Sequence, residues 1–355
     1  MQSYEWSKEK YYSFLLDNEC IGFHEQGIKL KSGRLSPFYA NLRILTDTTE
    51  KAKELASYII NFSKDKGIID DPNILFYGVP EGATKAGFFA QLQLIQNYKM
   101  AQPYILSDNT SFKNQPLLYP LSHLEAIASL ILDRLEKEKL EIKAIDTIYG
   151  DPKTIYREVS LLLGAKCYEK YKKDYYLVLG RIKPKSHGLA RDRYFIGKPK
   201  GNVLILAHNE QRAEELEKQV REIEDIKQIY KVVINAEMHY HKPSIPAYNI
   251  ILIEDVTTTG GSAIKEVKNM LSMGFSVKGV IALFNRNEIN EEGTTIEEEL
   301  NKLGVSYYAM ANALDLLPEA AKRKKIDKEM IEKVISYYKK YGAHDKEGIR
   351  KIPIF

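Results

Sequence analysis

One segment in the second half of the chain has the residue types that bind phosphate and sugar hydroxyls. Residues 251–262 read ILIEDVTTTGGS, so an apolar run ends in two carboxylates and a turn of small residues follows. Glycines let the backbone close around an anion, and the N–H groups at the start of a helix point at it. The carboxylates of Glu254 and Asp255 suit a different partner, because they accept hydrogen bonds from a vicinal diol or bind Mg²⁺ through water. The segment therefore predicts a sugar-phosphate site.

This segment resembles the signature of type I phosphoribosyltransferases that binds 5-phospho-α-D-ribosyl 1-diphosphate (PRPP). The resemblance implies that Glu254 and Asp255 bind the ribose hydroxyls, with Asp255 also counted among the catalytic residues. It implies that the 5′-phosphate is bound by the turn, which consists of Val256, Thr257, Thr258, Thr259, Gly260, Gly261 and Ser262. Mg²⁺ is the expected cofactor, held mainly by PRPP and water, and no firm protein metal ligand is predicted.

Two further segments narrow the resemblance to orotate phosphoribosyltransferases. Residues 30–41, LKSGRLSPFYAN, resemble the N-terminal hood of that family. The resemblance implies that Lys31 and Arg34 face substrate phosphates and that Tyr39 stacks on the flat base. The sequence departs from the family at Ala40, where the best-known members have a second aromatic residue. Arg286 follows a later core strand, where the family has an arginine that pairs with the orotate carboxylate. A planar guanidinium suits that pairing. Lys31, Tyr39 and Arg286 are the residues predicted to bind orotate.

A basic segment at residues 180–188, GRIKPKSHG, resembles the mobile catalytic loop of the same family. The resemblance implies that Arg181, Lys183, Lys185 and His187 stabilise the departing pyrophosphate. The chemistry is apt, since a loop that closes over substrate excludes water and brings positive charge to the breaking C–O bond. This loop departs from the family at Ile182, after the arginine, where a lysine is common and Lys183 is the neighbouring substitute. Residues 77–84, YGVPEGAT, lie where the family has a loop that contacts pyrophosphate, and Tyr77 stands where many members have a lysine.

The elements that must position these residues follow an α/β pattern, with short apolar runs alternating with amphipathic helices. Helices are predicted near 50–64, 122–139 and 210–224. The predicted fold is α/β, with a type I phosphoribosyltransferase-like core, a central and mainly parallel sheet, an N-terminal hood and inserted accessory segments. The predicted divisions are 1–106 for the hood and first part of the core, 107–176 and 207–248 for the insertions, 177–206 for the core with its loop, and 249–355 for the PRPP-binding core and C-terminal helices. The two insertions are expected to pack together near the mouth of the site.

Composition excludes several other classes of protein. Lys and Arg total 52 against 48 Asp and Glu, which is too weak an excess for a nucleic-acid binder. The two cysteines, Cys20 and Cys167, provide no disulfide framework or cysteine metal cage. The apolar runs are too short to span a bilayer, so a cytoplasmic protein is expected. His239 and His241 alternate on a predicted strand, but without a convincing third ligand they do not predict a metal site.

Taken together, the motifs predict an orotate phosphoribosyltransferase, a pentosyltransferase that makes orotidine 5′-monophosphate in UMP biosynthesis. The resemblance implies a homodimer in which the basic loop is shared across the interface, with PRPP and orotate as the small-molecule partners. One alternative is a phosphoribosyltransferase for another base. A second is a non-catalytic regulator that senses PRPP, and a third gives the main function to the inserted segments.

Overall fold

The computed structural model describes residues 5–30, 32–98, 103–106, 117–181, 193–234, 248–345 and 347–355. The α-helices, numbered α1 to α10, are Lys8–Asp17, Thr49–Asp65, Thr84–Tyr98, Leu121–Lys137, Tyr156–Tyr171, Glu210–Arg221, Gly261–Ser272, Ile296–Lys302, Ala313–Lys324 and Lys328–Tyr341. The strands, β1 to β13, are Ile21–Lys29, Leu35–Ala40, Ile74–Gly78, Pro103–Leu106, Leu117–Pro120, Thr147–Gly150, Tyr176–Gly180, Phe195–Ile196, Gly201–Ala207, Ile226–Val233, Asn249–Thr257, Ser276–Asn285 and Ser306–Ala309.

The chain divides into two compact units. Unit 1 contains Met1–Ile44, Tyr58–Ala83 and Ala247–Phe355, and unit 2 contains Leu45–Ser57 and Thr84–Pro246. Each unit is built on its own mainly parallel sheet. The predicted α/β class is therefore confirmed. No helix within the described residues is both long and apolar enough to cross a membrane.

The sheet of unit 1 has the strand order β13-β12-β11-β3, and all three pairings are parallel. Strand β11 lies between two neighbours, and the side chains from Ile250 to Ile253 are at most 2% exposed. A continuous apolar run is what a strand needs when both faces of a parallel sheet are covered. Because the strands are parallel, the carboxyl ends of β3, β11 and β12 lie along one edge.

The predicted hood is an antiparallel hairpin of β1 and β2, in which Phe23 pairs with Phe38. Phe38 is fully buried, and its ring stacks on Tyr338 of α10 with the ring centroids 6.0 Å apart. Helix α10 begins at an aspartate cap, since the Asp327 side chain accepts a hydrogen bond from the Met330 N–H. Helix α10 thus holds the hood to the rest of unit 1.

The sheet of unit 2 has the order β10-β9-β6-β7-β8, with the first four strands parallel and β8 antiparallel to β7. Strands β6 and β10 come from the two predicted insertions, whereas β7 and β9 come from the segment predicted to lie in the core. The insertions contact each other directly, because Tyr156 Oη donates to the Ile234 carbonyl at 2.8 Å and Arg134 to the Val233 carbonyl at 3.0 Å. The expected packing between the two insertions is therefore present, but as part of one sheet with β7 and β9.

This sheet is covered on both faces, which explains why β7 and β9 are apolar throughout. Leu177 and Leu204 belong to a core formed with helices α3, α4 and α5, whereas Val178 and Val203 pack toward Ala213 and Leu216 of α6. Side chains of a strand alternate between faces, so each strand contributes to both cores. The apolar runs predicted these strands, but not their sheet partners.

A buried ion pair lies at the carboxyl ends of β6 and β9 in unit 2. Asp151 is fully buried, and its Oδ1 accepts a hydrogen bond from Arg212 Nε at 3.0 Å. Its Oδ2 lies 3.2 Å from His208 Nδ1, and the Lys153 N–H donates to Oδ1 at 3.1 Å. Arg212 of α6 is thereby held at the carboxyl end of β6.

Replacing Asp151 with Ala is expected to lower the free energy of unfolding by about 3 kcal/mol, because it leaves a largely buried guanidinium without this carboxylate. Urea denaturation followed by circular dichroism measures the change. Asp17→Ala is the matched control, since it breaks an exposed pair with Arg323 in which both side chains are about half-exposed. Equal losses for the two variants would contradict the structural role given to Asp151.

Candidate active site

The predicted phosphate turn connects β11 to α7, and its geometry depends on Gly260. Gly260 caps α7 with a φ of +78°, a conformation that favours glycine. A Cβ on Gly260 would lie 2.6 Å from the Ile296 side chain, whereas a Cβ on Gly261 would have no atom within 4 Å. The first N–H groups of α7 have no carbonyl partners within the helix, and the helix dipole adds positive potential. The turn is therefore shaped to bind an anion.

The two carboxylates at the end of β11 lie beside this turn. Glu254 is buried, and Asp255 is mostly buried. Asp255 Oδ1 accepts a hydrogen bond from the Val256 N–H at 2.8 Å, and Oδ2 accepts one from Arg43 Nε at 3.2 Å. A Cβ on Gly82 would lie only 2.2 Å from Asp255 Oδ2, so the backbone after β3 packs directly against the carboxylate. Three separated segments thus meet at one side chain.

The side chain of Thr257 connects the start of the turn to two other strands of the sheet. A hydrogen bond of 2.6 Å joins its Oγ1 to Tyr307 Oη, and Oγ1 also donates to Asn285 Oδ1 at 3.3 Å. Burial raises the pKa of Tyr307, so this phenol stays protonated over the physiological range. The Thr257 hydroxyl is therefore engaged by residues of β12 and β13.

These groups open into a cavity of about 570 Å³, a size typical of small-molecule sites. The hood contributes Tyr39 and Ala40 of β2 to the wall of the cavity. The cavity is lined by Lys29, Leu30, Ser32, Tyr39, Ala40, Asn41, Leu42, Arg43, the residues from Glu254 to Ser262, and Arg286. The structure therefore brings the predicted PRPP residues together with two of the three residues predicted to bind orotate.

Arg286 lies in the cavity wall within a buried polar network. Its Nε donates to Glu288 Oε1 at 2.7 Å, and one terminal nitrogen donates to Ser36 Oγ at 2.7 Å. The guanidinium carbon lies 3.9 Å from the centroid of the Phe38 ring. Arg34 donates to the other oxygen of Glu288 at 2.9 Å, so two arginines share this one carboxylate. The network has an excess of positive charge, which suits an anionic ligand beside it.

The predicted catalytic loop lies only partly within the described residues. Arg181 follows β7, and its N–H donates to the Tyr194 carbonyl at 2.7 Å, next to the pairing of Gly180 with Phe195. The two ends of the loop are therefore held together at the base of a hairpin in unit 2. The hood residue Lys31, the loop residues Ile182, Lys183, Lys185 and His187, and the pair His239 and His241 lie outside the described residues.

Tyr77, at a position where the family resemblance implies a lysine, is buried in β3 and pairs with Leu252 of β11. Its side chain hydrogen bonds to Glu266 of α7, and burial raises the pKa of that glutamate. This contact ties β3 to the helix that carries the phosphate turn. The residue thus has a structural contact in place of the charge that a lysine would supply.

Sequence reasoning missed Lys29, Asn41, Arg43 and the close approach of Gly82. Asn41 is the last residue of the hood motif and Arg43 lies two residues beyond it, so their nearness to the end of β2 was a usable signal. The contact between Arg43 and Asp255 joins residues 212 positions apart, and no local pattern indicates it.

Comparison with known proteins shows sequence similarity to orotate phosphoribosyltransferases. The chain is 35% identical over 75 residues to the enzyme of Sorangium cellulosum, and 38% identical over 72 residues to that of Aquifex aeolicus. The predicted resemblance is confirmed. These alignments cover 21% and 20% of this chain, and the chain spans 36% of the length of each relative. No family model matches the chain.

Solved structures similar to this chain include the orotate phosphoribosyltransferase of Francisella tularensis, with 15% identity and a TM-score of 0.41 over 96% of this chain and 100% of that one. The enzyme of Aeropyrum pernix has 13% identity and a TM-score of 0.36, over 88% of this chain and 97% of that one.

The two glycines of the turn give a matched test of its geometry in the ligand-free protein. Gly260→Ala is expected to lower the free energy of unfolding by about 2–3 kcal/mol, because it adds left-handed strain and a contact with Ile296. Gly261→Ala should be neutral or slightly stabilising, since its Cβ meets open space at a helical position. Urea denaturation compares them. A larger loss for Gly261→Ala than for Gly260→Ala would contradict this description of the turn.

Proposed function

We propose that this protein is an orotate phosphoribosyltransferase, which transfers the phosphoribosyl group of PRPP to orotate. The observation that carries the proposal is the set of residues that line the cavity. The N-terminus of α7 with Glu254 and Asp255 suits a sugar phosphate, and Tyr39 and Arg286 in the same lining suit a flat anionic base. The sequence similarity to enzymes of this name supports the same assignment.

In the proposed reaction the base nitrogen forms a bond to the anomeric carbon as the C–O bond to pyrophosphate breaks. The turn from Val256 to Ser262 binds the 5′-phosphate, and Glu254 and Asp255 accept hydrogen bonds from the ribose hydroxyls. Arg286 pairs with the orotate carboxylate, and Tyr39 stacks on the ring. These contacts hold the reacting atoms in line, which is the main contribution a protein makes to such a transfer.

The reaction also requires that the negative charge on the leaving group be stabilised. We assign its stabilisation to Arg181, Lys183, Lys185 and His187, by the resemblance of their loop to the family's catalytic loop. Within the described residues no group of three or more His, Cys, Asp or Glu could hold a metal ion. Glu254 and Asp255 fit an ion that keeps water and substrate oxygens as most of its ligands, and Mg²⁺ bound in that way would neutralise part of the pyrophosphate charge.

The direct test is the loss of orotate absorbance in the presence of purified protein, PRPP and Mg²⁺, with each omitted in turn. Orotate should be consumed only when all are present. Uracil should react roughly 10–100-fold less efficiently, because it lacks the carboxylate that pairs with Arg286. Equal rates for the two bases would contradict the role of Arg286 and favour a phosphoribosyltransferase for another base. PRPP binding without turnover of any base would favour a PRPP-sensing regulator.

The assignment of the basic loop gives a separate prediction. Lys185→Ala should lower kcat by about 100-fold with a smaller change in the KM for PRPP, because the positive charge acts mainly when the leaving group departs. Steady-state kinetics measure both constants. A rise in KM with kcat unchanged would mean that Lys185 binds the ground state only.

A mixing experiment tests the proposed homodimer with a shared loop. Lys185→Ala and Asp255→Asn chains are each expected to be nearly inactive. If the loop of one subunit serves the site of its partner, a refolded equal mixture should recover about a quarter of wild-type activity, because half of the dimers are mixed and each has one intact site. If each loop instead serves its own subunit, the mixed dimer has no intact site, because one subunit lacks Lys185 and the other lacks Asp255. If the wild-type protein has the mass of a dimer, activity of the mixture no higher than the sum of the two variants would therefore contradict a shared loop. Co-expression of the two chains with different affinity tags controls for chains that fail to exchange.

A further inference from the structure

Arg43 lies three residues after the end of β2 and lines the cavity beside Asp255. Its Nε donates to Asp255 Oδ2 at 3.2 Å, and its side chain is 38% exposed. The neighbouring cavity cation Arg286 is 1% exposed and is bonded to Glu288 and Ser36. Arg43 therefore combines contact with a proposed sugar-binding carboxylate and an accessible position in the wall.

The two oxygens of Asp255 face different neighbours. Oδ1 accepts the Val256 N–H at the start of the phosphate turn, whereas Oδ2 lies against Arg43 and the backbone of Gly82. In a phosphoribosyl group, the 5′-phosphate and the substituent on C1 leave the ribose at opposite ends. With the 5′-phosphate in the turn and the diol on the carboxylates, the C1 substituent extends away from the turn, on the side of Arg43 and Gly82.

A guanidinium is suited to bridge these two groups. Its Nε can donate to Asp255 while the terminal nitrogens, with four further N–H groups, exchange their contacts for phosphate oxygens. The planar arrangement of donors matches phosphate as well as carboxylate geometry. Arg43 compensates the mostly buried Asp255 carboxylate through Nε, and a side chain that is 38% exposed also faces the cavity, where a ligand reaches it.

We propose that Arg43 is a further substrate-binding residue, whose guanidinium bridges Asp255 to the pyrophosphate group of PRPP. This inference rests on the proposed function and extends it, because it places a pyrophosphate-binding cation in unit 1 itself. Arg43 would therefore contribute to the binding of PRPP but not to that of orotidine 5′-monophosphate, since the product has the same diol and 5′-phosphate but no pyrophosphate.

Calorimetric titration of PRPP with Mg²⁺, and of orotidine 5′-monophosphate, into the wild-type and Arg43→Gln proteins tests this difference. Arg43→Gln should weaken PRPP binding roughly 10–100-fold and change binding of the monophosphate by less than about threefold. Arg43→Lys, which keeps the charge but loses the planar donors, should have an intermediate effect on PRPP alone. Arg323→Gln is the matched control for loss of a guanidinium, because Arg323 pairs with Asp17 and does not line the cavity.

Each outcome supports or overturns the inference. Equal weakening of both ligands would show that Arg43 only positions Asp255, and no change in either would show an ion pair without a ligand role; both overturn it and leave the proposed function intact. Failure of the wild-type protein to bind either ligand would overturn the proposed function and this inference together. Circular dichroism checks that Arg43→Gln is folded, and Arg43→Lys supplies the same comparison if it is not.

Discussion

The pairing of β11 between β3 and β12 is the constraint on which the rest of the candidate site depends. Strand β11 is parallel to both neighbours and is buried along its apolar run, so its end cannot shift without breaking two ladders. That end carries Glu254 and Asp255 and leads into the phosphate turn. The ends of the neighbouring strands lead to Gly82 on one side and to Asn285 and Arg286 on the other. One sheet edge thereby collects groups that are far apart in sequence.

Asp255 shows how the groups at this edge depend on one another. A mostly buried carboxylate requires compensation, which here comes from a backbone N–H of the turn and from Arg43. The space for Oδ2 exists only because residue 82 is glycine. The phosphate turn, the segment after the hood and the loop after β3 therefore share one acceptor, so a ligand that binds Asp255 acts on all three. A diol that approaches this carboxylate meets a site already arranged around it.

The sequence predicted the parts of the site that lie within one continuous segment. The run from Ile251 to Ser262 contains its own strand, carboxylates and glycine turn, and its residues from Glu254 to Ser262 line the cavity. Contacts between distant segments left no such local signal, as the pairing of Arg43 with Asp255 illustrates. The strand pairings of unit 2 were not predicted for the same reason. The apolar runs of β7 and β9 predicted strands, but they do not specify which apolar strand lies beside each of them. The contact of Glu288 with Arg34, 254 positions away, is another nonlocal contact.

The charge distribution connects the fold of the hood to the choice of acceptor. Arg286 donates to Ser36 and contacts the Phe38 ring, so this cavity-lining cation also holds the hairpin of the hood. Glu288 neutralises only one of the two guanidiniums that it binds, and a buried excess of charge is costly unless a counter-charge is near. A carboxylate on the acceptor base would supply that counter-charge, whereas a neutral base of the same shape would leave the excess in place. Selectivity for an anionic base would then arise from the electrostatics that also stabilise the hood, and not from shape alone.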